Sequence, residues 1–240
     1  MRVIGIGETV LDILFKDDQP QKAVPGGSTF NSIISLGRAG VPCAMVTEAG
    51  GDHIGDITCR YLEDNGVSAE YVCRHEGVKS HVSLAFLDEN NDARYIFYKD
   101  HASVSMDGRL PRVLPLAEEN MGLADVVRGS TEDFGNLYGL QDGDAIYGRV
   151  SPFCRTFILT DGARPIRVYT PEGCETFPVP SIETVSTVGA GDNFNAGYIY
   201  ATLRGLPDQA SRIAMASRWS QDACRQIGNS ISPGFVASLK

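Results

Sequence analysis

Residues 25–66, PGGSTFNSIISLGRAGVPCAMVTEAGGDHIGDITCRYLEDNG, decide the fold class. Ser28 stands as an N-cap before a helical face of Phe30, Ile33, Ile34 and Leu36, and this predicted helix closes at Gly40. Ala44-Met45-Val46 follows as a short apolar strand. Ile54, Ile57, Tyr61 and Leu62 then recur at helical spacing as far as the stop signal Asn65-Gly66. With the apolar run Val3 to Ile6 in front, the order is strand, helix, strand, helix, which predicts a parallel sheet covered by helices. Further out, His81 to Leu87 and Ala93 to Tyr98 alternate in polarity around Asp88-Glu89-Asn90-Asn91-Asp92, a β-hairpin suited to a lid or an oligomer contact. A helix at Leu116 to Leu123 leads to strands at Asp125-Val126-Val127 and Phe157 to Thr160, with Ile166 to Tyr169 pairing nearby. Asp192 to Leu203 and Gln209 to Ile227 read as helices, and with no repeat or linker the expectation is one domain over residues 1–240.

Composition narrows the function classes. Hydrophobic residues make up 42% and charged residues 21%, an ordinary globular balance, and no run approaches the ~18 apolar residues of a bilayer span. The start, Met1 to Gly7, reads as a strand and not as a signal peptide, so the cytoplasm is the expected location. A net charge of −9 argues against nucleic acid as a partner. It leaves room for small phosphorylated ligands, which backbone N–H groups can hold. Six cysteines without a Cys-x-x-Cys pair, and four histidines without a partner at ligand spacing, predict reduced thiols and no zinc site.

The chemistry concentrates in Ser186-Thr187-Val188-Gly189-Ala190-Gly191-Asp192-Asn193-Phe194-Asn195-Ala196-Gly197. Gly189 and Gly191 let the backbone turn tightly before a helix whose first N–H groups lack internal partners and carry the positive dipole end. Such an end suits the charge that builds on a transferring phosphoryl group. Asp192, at the helix start, can accept a proton from an attacking hydroxyl. By itself, Gly-Ala-Gly-Asp also reads as a plain turn with an Asp N-cap.

The longer pattern resembles the C-terminal signature of the ribokinase-like (PfkB-type) sugar kinases, Asp-Thr-x-Gly-Ala-Gly-Asp, with Ser186 in place of the leading Asp. Far away in the chain, Pro25-Gly26-Gly27-Ser28-Thr29-Phe30-Asn31 resembles that family's Gly-Gly motif, whose glycines approach the sugar and whose Asn bonds its hydroxyls. Gly7-Glu8-Thr9-Val10-Leu11-Asp12 resembles the segment whose Asp grips two sugar hydroxyls. Singly, Gly26-Gly27 is also a loop and Asp12 a turn carboxylate; three matches in family order carry the resemblance. Weaker ones agree. Gly51 to Asp56 resembles the entry to the family's second helix, and Ser83 to Lys99 its lid, with Lys99 standing where relatives aim a cation at the substrate. Ser130, Glu132 and Asp133 resemble an Asn-x-x-Glu element near Mg²⁺, with Asp133 as the Glu equivalent, Glu132 as its neighbour and Ser130 replacing the Asn. Thr160-Asp161-Gly162 resembles the start of a nucleotide-binding loop whose last Gly is Pro165 here, and Asn229 would border the adenine.

The resemblance implies an α/β, ribokinase-like three-layer sandwich with a central, mostly parallel sheet and a small β lid from strands within about 11–25 and 80–99. It implies ATP-dependent phosphorylation of a primary hydroxyl of a small sugar, fructokinase-like, with ATP and Mg²⁺ as cofactors. Asp192 would act with the Gly189, Ala190 and Gly191 amides, and Asp12, Gly26, Gly27, Asn31 and Lys99 would hold the sugar. The family's leading Asp helps bind a monovalent cation, so Ser186 leaves cation activation without that ligand. Fructose, ribose, 2-keto-3-deoxygluconate and nucleosides stay open as substrates, and the lid edge would allow a homodimer.

The middle departs from the family. Relatives carry another strand–helix–strand passage before the strand at Asp125, ending in an Asp-x-Asn-x-Arg-like motif, whereas only Ser103 to Ala124 fills that space here. Loss of interior strands exposes apolar faces and backbone groups, so the sheet has re-closed, a partner covers the gap, or residues of a longer form are missing. This shortening, with Ser186, Ser130 and Pro165, motivates a second reading: a catalytically impaired sugar- or nucleotide-binding protein of the same fold. A dinucleotide oxidoreductase based on Gly5-x-Gly7 fails for want of the third glycine and of a helix directly after the strand.

Overall fold

The computed structural model describes residues 3–89, 93–99 and 113–239; the centre of the predicted hairpin turn (90–92) and the start of the shortened middle (103–112) lie outside them. From the N-terminus the chain forms β1 (Val3–Ile6), β2 (Val10–Lys16), β3 (Gln19–Gly26), α1 (Ser28–Arg38), β4 (Cys43–Gly50), α2 (His53–Asp64), β5 (Val67–His75), β6 (Val82–Leu87) and β7 (Ala93–Tyr98). It continues through α3 (Val113–Leu123), β8 (Val127–Ser130), α4 (Thr131–Tyr138), α5 (Gly143–Val150), β9 (Phe157–Asp161), β10 (Arg164–Thr170) and β11 (Gly173–Phe177). Three helices close the chain: α6 (Ala190–Leu203), α7 (Gln209–Cys224) and α8 (Pro233–Ser238). Two compact units divide these elements, Met1–Ser105 with Ile182–Lys240, and Met106–Ser181.

In the first unit β1, β4 and β5 form a parallel sheet in the order β1-β4-β5. The apolar side of α1 buries Phe30, Ile33 and Leu36 with Met45 of β4, Tyr200 of α6 and Trp219 of α7 in one core. A second sheet in this unit, ordered β3-β2-β6-β7, pairs β2 parallel to β6 and antiparallel to β3, and β6 antiparallel to β7. Successive strand residues face opposite sides, so burial of Val10 and Leu14 carries Asp12, between them in register, to the same inner face. That periodicity places a carboxylate inside the protein. On β7, Ile96, Phe97 and Tyr98 remain exposed.

One local expectation changes. Ser28 is not the N-cap of α1: Gly27 takes that position at φ 120° without a side-chain bond, and Ser28 is already helical. Its hydroxyl is drawn instead to a carboxylate on α6. Within the polar stretch Lys16 to Lys22, Asp17 and Asp18, at φ 52° and 57°, make a tight turn into β3. Asp tolerates this left-handed backbone better than most residues, and the exposed start of β3 shows no alternation for a sequence reading to find.

The second unit carries a sheet ordered β11-β10-β9-β8, parallel between β8 and β9 and otherwise antiparallel. The buried ring of Phe157 meets Phe134 edge-on at 5.1 Å and stacks with Tyr169 at 5.8 Å. Its strand from the sequence reading, Asp125 to Val127, begins only at Val127. Among the described residues no helix is long and apolar enough to cross a membrane, and none of the six cysteines is in a disulfide.

Trp219 is the largest fully buried side chain, and its indole N–H has no partner. Trp219→Ala should cost about 3–5 kcal/mol. Trp219→Phe keeps most of the volume and removes the orphan donor, so it should cost far less. Urea unfolding followed by circular dichroism measures both, and equal losses would show that ring volume is not what holds this core.

Candidate active site

The corner between β1 and β2 is pinned from several sides. The Gly7 N–H donates to the Val46 carbonyl (3.3 Å), the Thr29 hydroxyl to the Ile6 carbonyl (3.2 Å) and the Thr9 hydroxyl to the Glu48 carbonyl (3.3 Å). From this corner β2 delivers Asp12, 5% exposed, whose Oδ1 accepts a short hydrogen bond from the Ser83 hydroxyl on β6. Burial pushes the Asp12 carboxyl up to about 6; the Ser83 bond opposes the shift and the negative charge of Asp192 adds to it. Gly26 explains how β3 can pass so close. A Cβ there would sit 1.9 Å from Asp12 Oδ2, so no side chain fits while Asp12 holds its place.

Helix α1 presents residues 28, 31 and 32, one helical face, to a single residue of α6. Ser28 Oγ donates to Asp192 Oδ1 and Asn31 Nδ2 to Asp192 Oδ2, both at 2.7 Å, while Ser32 Oγ donates to the Asp192 carbonyl at 2.8 Å. Asn31, 5% exposed, has turned its amide toward the carboxylate, and its Oδ1 is buried without a partner. The turn into α6 needs Gly189 at φ +74°, and a Cβ there would stand 2.8 Å from the Asn229 carbonyl. Deeper in, Asn193 Nδ2 donates to the carbonyls of Gly189 (2.8 Å) and Asn229 (3.0 Å), and Ser35 Oγ donates to Asn193 Oδ1 (2.5 Å). These bonds fix the two helices against each other with buried polar groups satisfied.

A cavity of about 420 Å³ opens over this arrangement, within the range of small-molecule sites. Asp12, Gly27, Asn31, Lys99, Gly189 and Asp192 line it together. The lid strand β7 adds Tyr95 and Phe97, whose rings lie 5.7 Å apart and 10° from parallel. Burial, with the charges of Asp12 and Asp192 close by, raises the Tyr95 phenol well above its ordinary value. Lys99 donates to Glu8 Oε2 at 2.5 Å.

The other predicted residues are placed differently. Asn229 is 2% exposed and spends its amide on the Pro25 carbonyl at 3.0 Å, so it braces the Gly26-Gly27 turn. The Ala190 N–H closes the glycine turn onto the Thr187 carbonyl at 3.1 Å. Ser186 is fully buried, and its hydroxyl accepts the Val188 N–H at 3.2 Å. In the second unit, Ser130 and Asp133 form a capping box at the start of α4, with Asp133 Oδ2 accepting from the Ser130 N–H (2.7 Å) and hydroxyl (2.8 Å). Glu132 beside them is exposed. Thr160 accepts from Arg128 at 2.6 Å, and Gly162, φ +56°, makes the turn from β9 to β10. No group of three or more His, Cys, Asp or Glu among the described residues could hold a metal ion by itself. Ser28, Ser32, Ser83 and Tyr95 were not foreseen as site residues. The polar spacing 28, 32, 35 on an otherwise apolar helix was the available signal for the first two.

Fold and cleft together define an α/β protein with a cavity of small-molecule size. The family model described as pfkB family carbohydrate kinase matches residues 6–112 and 103–232, two stretches that meet at the shortened middle. The chain belongs to that family. It is 24% identical to a fructokinase of Rhizobium leguminosarum bv. trifolii, over 84% of this chain and 79% of the other. It is 26% identical to a ribokinase of Bacillus subtilis, over 85% and 81%. Among solved structures, a fructokinase of Vibrio cholerae in fructose-, ADP- and calcium-bound form superposes with a TM-score of 0.81 at 19% identity, covering 99% of this chain and 98% of that one. The fold is therefore the ribokinase-like α/β fold.

Gly26→Ala would drive a methyl group into Asp12 Oδ2. With a carbohydrate substrate, KM should rise by about tenfold or more, an effect on substrate binding in the ground state. Steady-state kinetics measures it, and an unchanged KM would mean that Asp12 does not depend on this close approach.

Proposed function

We propose that the protein transfers the γ-phosphoryl group of ATP to a primary hydroxyl of a small sugar, with fructose the first candidate. One observation carries this reading: the Asp192 carboxylate, held on both oxygens by α1, faces the same cavity as the buried acceptors Asp12 and Asn31 Oδ1. Asp12 accepts protons from two sugar hydroxyls, Asn31 Oδ1 accepts from a third, and Gly27 leaves the backbone close to the ring. The acceptor hydroxyl then lies against Asp192. As its oxygen bonds to the γ-phosphorus, the bond to the ADP oxygen breaks, ADP departs with the electron pair, and the hydroxyl proton passes to Asp192. The N–H groups of Gly191 and Asp192 at the start of α6 face the charge on the transferring group, and the Ala190 amide can share its turn bond with it.

In the second unit Ser130, Thr160 and Gly162 are proposed to receive the nucleotide. Glu132, exposed, and Asp133, with one oxygen outside its capping box, suit a water-mediated Mg²⁺ ion, which keeps most of its own waters. When bound, that ion neutralises phosphate charge. Ser186, already bonded to the Val188 N–H, brings no carboxylate to a monovalent cation. That observation, with the two-stretch family match, favours a second reading as a sugar-binding protein with impaired turnover. The exposed β7 edge makes a lid-paired homodimer part of the proposal; light scattering at micromolar concentration should report twice the chain mass, and a monomer would dispose of it.

Asp192→Asn should lower kcat by about 10²–10⁴ while sugar affinity, read by calorimetry, survives. Unchanged turnover would remove Asp192 from its role, and sugar binding without ADP release in the parent protein would favour the impaired reading. Asp12 must be ionised to accept two protons, and in the folded protein it holds its own proton up to about pH 6. kcat/KM for the sugar should therefore be level above that pH and fall about tenfold per unit below it. A flat profile down to pH 5 would contradict the clamp.

A further inference from the structure

We infer that Glu8 is a specificity residue: by neutralising Lys99 in the cleft, it makes the pocket select an uncharged polyhydroxy substrate and turn away sugars bearing a carboxylate or phosphate. The inference rests on the sugar-kinase reading and supplies its substrate class. Lys99 continues the alternation of β7 onto the face of Tyr95 and Phe97 and so looks into the cavity. There its ammonium lies 2.5 Å from Glu8 Oε2 and 5.7 Å from the centre of the Phe97 ring. The main chain around Glu8 is held in place by the Gly7 N–H and the Thr9 hydroxyl on either side, which bond to the Val46 and Glu48 carbonyls. Among the described residues lining the cleft, Lys99 is the only cation, against the three carboxylates Glu8, Asp12 and Asp192.

Two consequences follow from this charge balance. With Lys99 matched by Glu8, the remaining fixed charge in the cleft comes from Asp12 and Asp192, and an anionic ligand meets repulsion. The two carboxylates and Asn31 Oδ1 are acceptors that reward hydroxyl donors and not a carboxylate or phosphate oxygen, while the neutral Tyr95 hydroxyl can donate to either. Because Lys99 and Glu8 side chains are 33% and 53% exposed, their attraction contributes little to stability. What the pair sets is the charge that a ligand encounters.

The test titrates D-fructose, D-ribose and 2-keto-3-deoxygluconate into the parent protein, Glu8→Gln and Glu8→Gln/Lys99→Met by calorimetry, with ADP release followed in parallel. The parent should bind its better neutral sugar at least about tenfold tighter than the acid. Glu8→Gln should shift that ratio by about 10- to 100-fold toward the acid, in a salt-sensitive way, and the double variant should lose the gain. The inference is overturned if the parent prefers the acid, if no neutral sugar binds, or if Glu8→Gln leaves the ratio unchanged. The two readings can fail separately. Correct binding ratios with no ADP release remove the kinase reading and leave the role of Glu8, whereas fructose turnover with an unmoved ratio does the reverse.

Discussion

The carboxylate of Asp192 receives one hydrogen bond on each oxygen from α1, and its main-chain carbonyl receives a third from the same helix face. These partners are separated by some 160 residues of sequence. A carboxylate held this way cannot swing into solvent or pair with a passing cation without breaking charge-assisted bonds. The glycine turn at 189, the Gly26-Gly27 passage and the Ser35–Asn193–Asn229 bonds behind them all serve to bring these groups to one place. Loss of that clasp would leave a cleft with the right residues and no fixed relation between them.

The cleft is built to accept protons. Asp12, Asp192 and the free oxygen of Asn31 are acceptors lying within a largely buried volume, and burial alone raises the cost of ionising Asp12. Such a site stabilises a ligand that brings hydroxyl donors and neutralises this buried negative charge through hydrogen bonds. Tyr95 and Phe97 of β7, with nearly parallel rings, add an aromatic part to the lining.

The sequence and the structure divide the explanation in a physically sensible way. Helical spacing in α1 and α2, and alternation in β6, were legible because each reflects burial of one face of a regular element. Asp12, Gly27, Asn31 and Asp192, which line one cavity, could be singled out because the motifs that hold them are short and contiguous. The β3 strand was legible only through the family resemblance, since its exposed half lacks a pattern, and the role of Ser28 was not, because its local context looks like an ordinary cap. The same holds for Asn229, expected at a nucleotide and found bracing a turn: its partner at Pro25 lies at the other end of the chain.

By itself, then, the amino-acid order determined the α/β class and the kinase family. These are properties of short stretches, set by side-chain periodicity and by which backbone turns glycine permits. Tertiary structure alone decided that α1 holds the Asp192 carboxylate, that Glu8 takes the charge of Lys99, and that Asp12 is buried enough to keep its proton to about pH 6. Each of these depends on distances between groups remote in sequence, and Coulomb attraction, desolvation and hydrogen bonding act across space without regard to chain order.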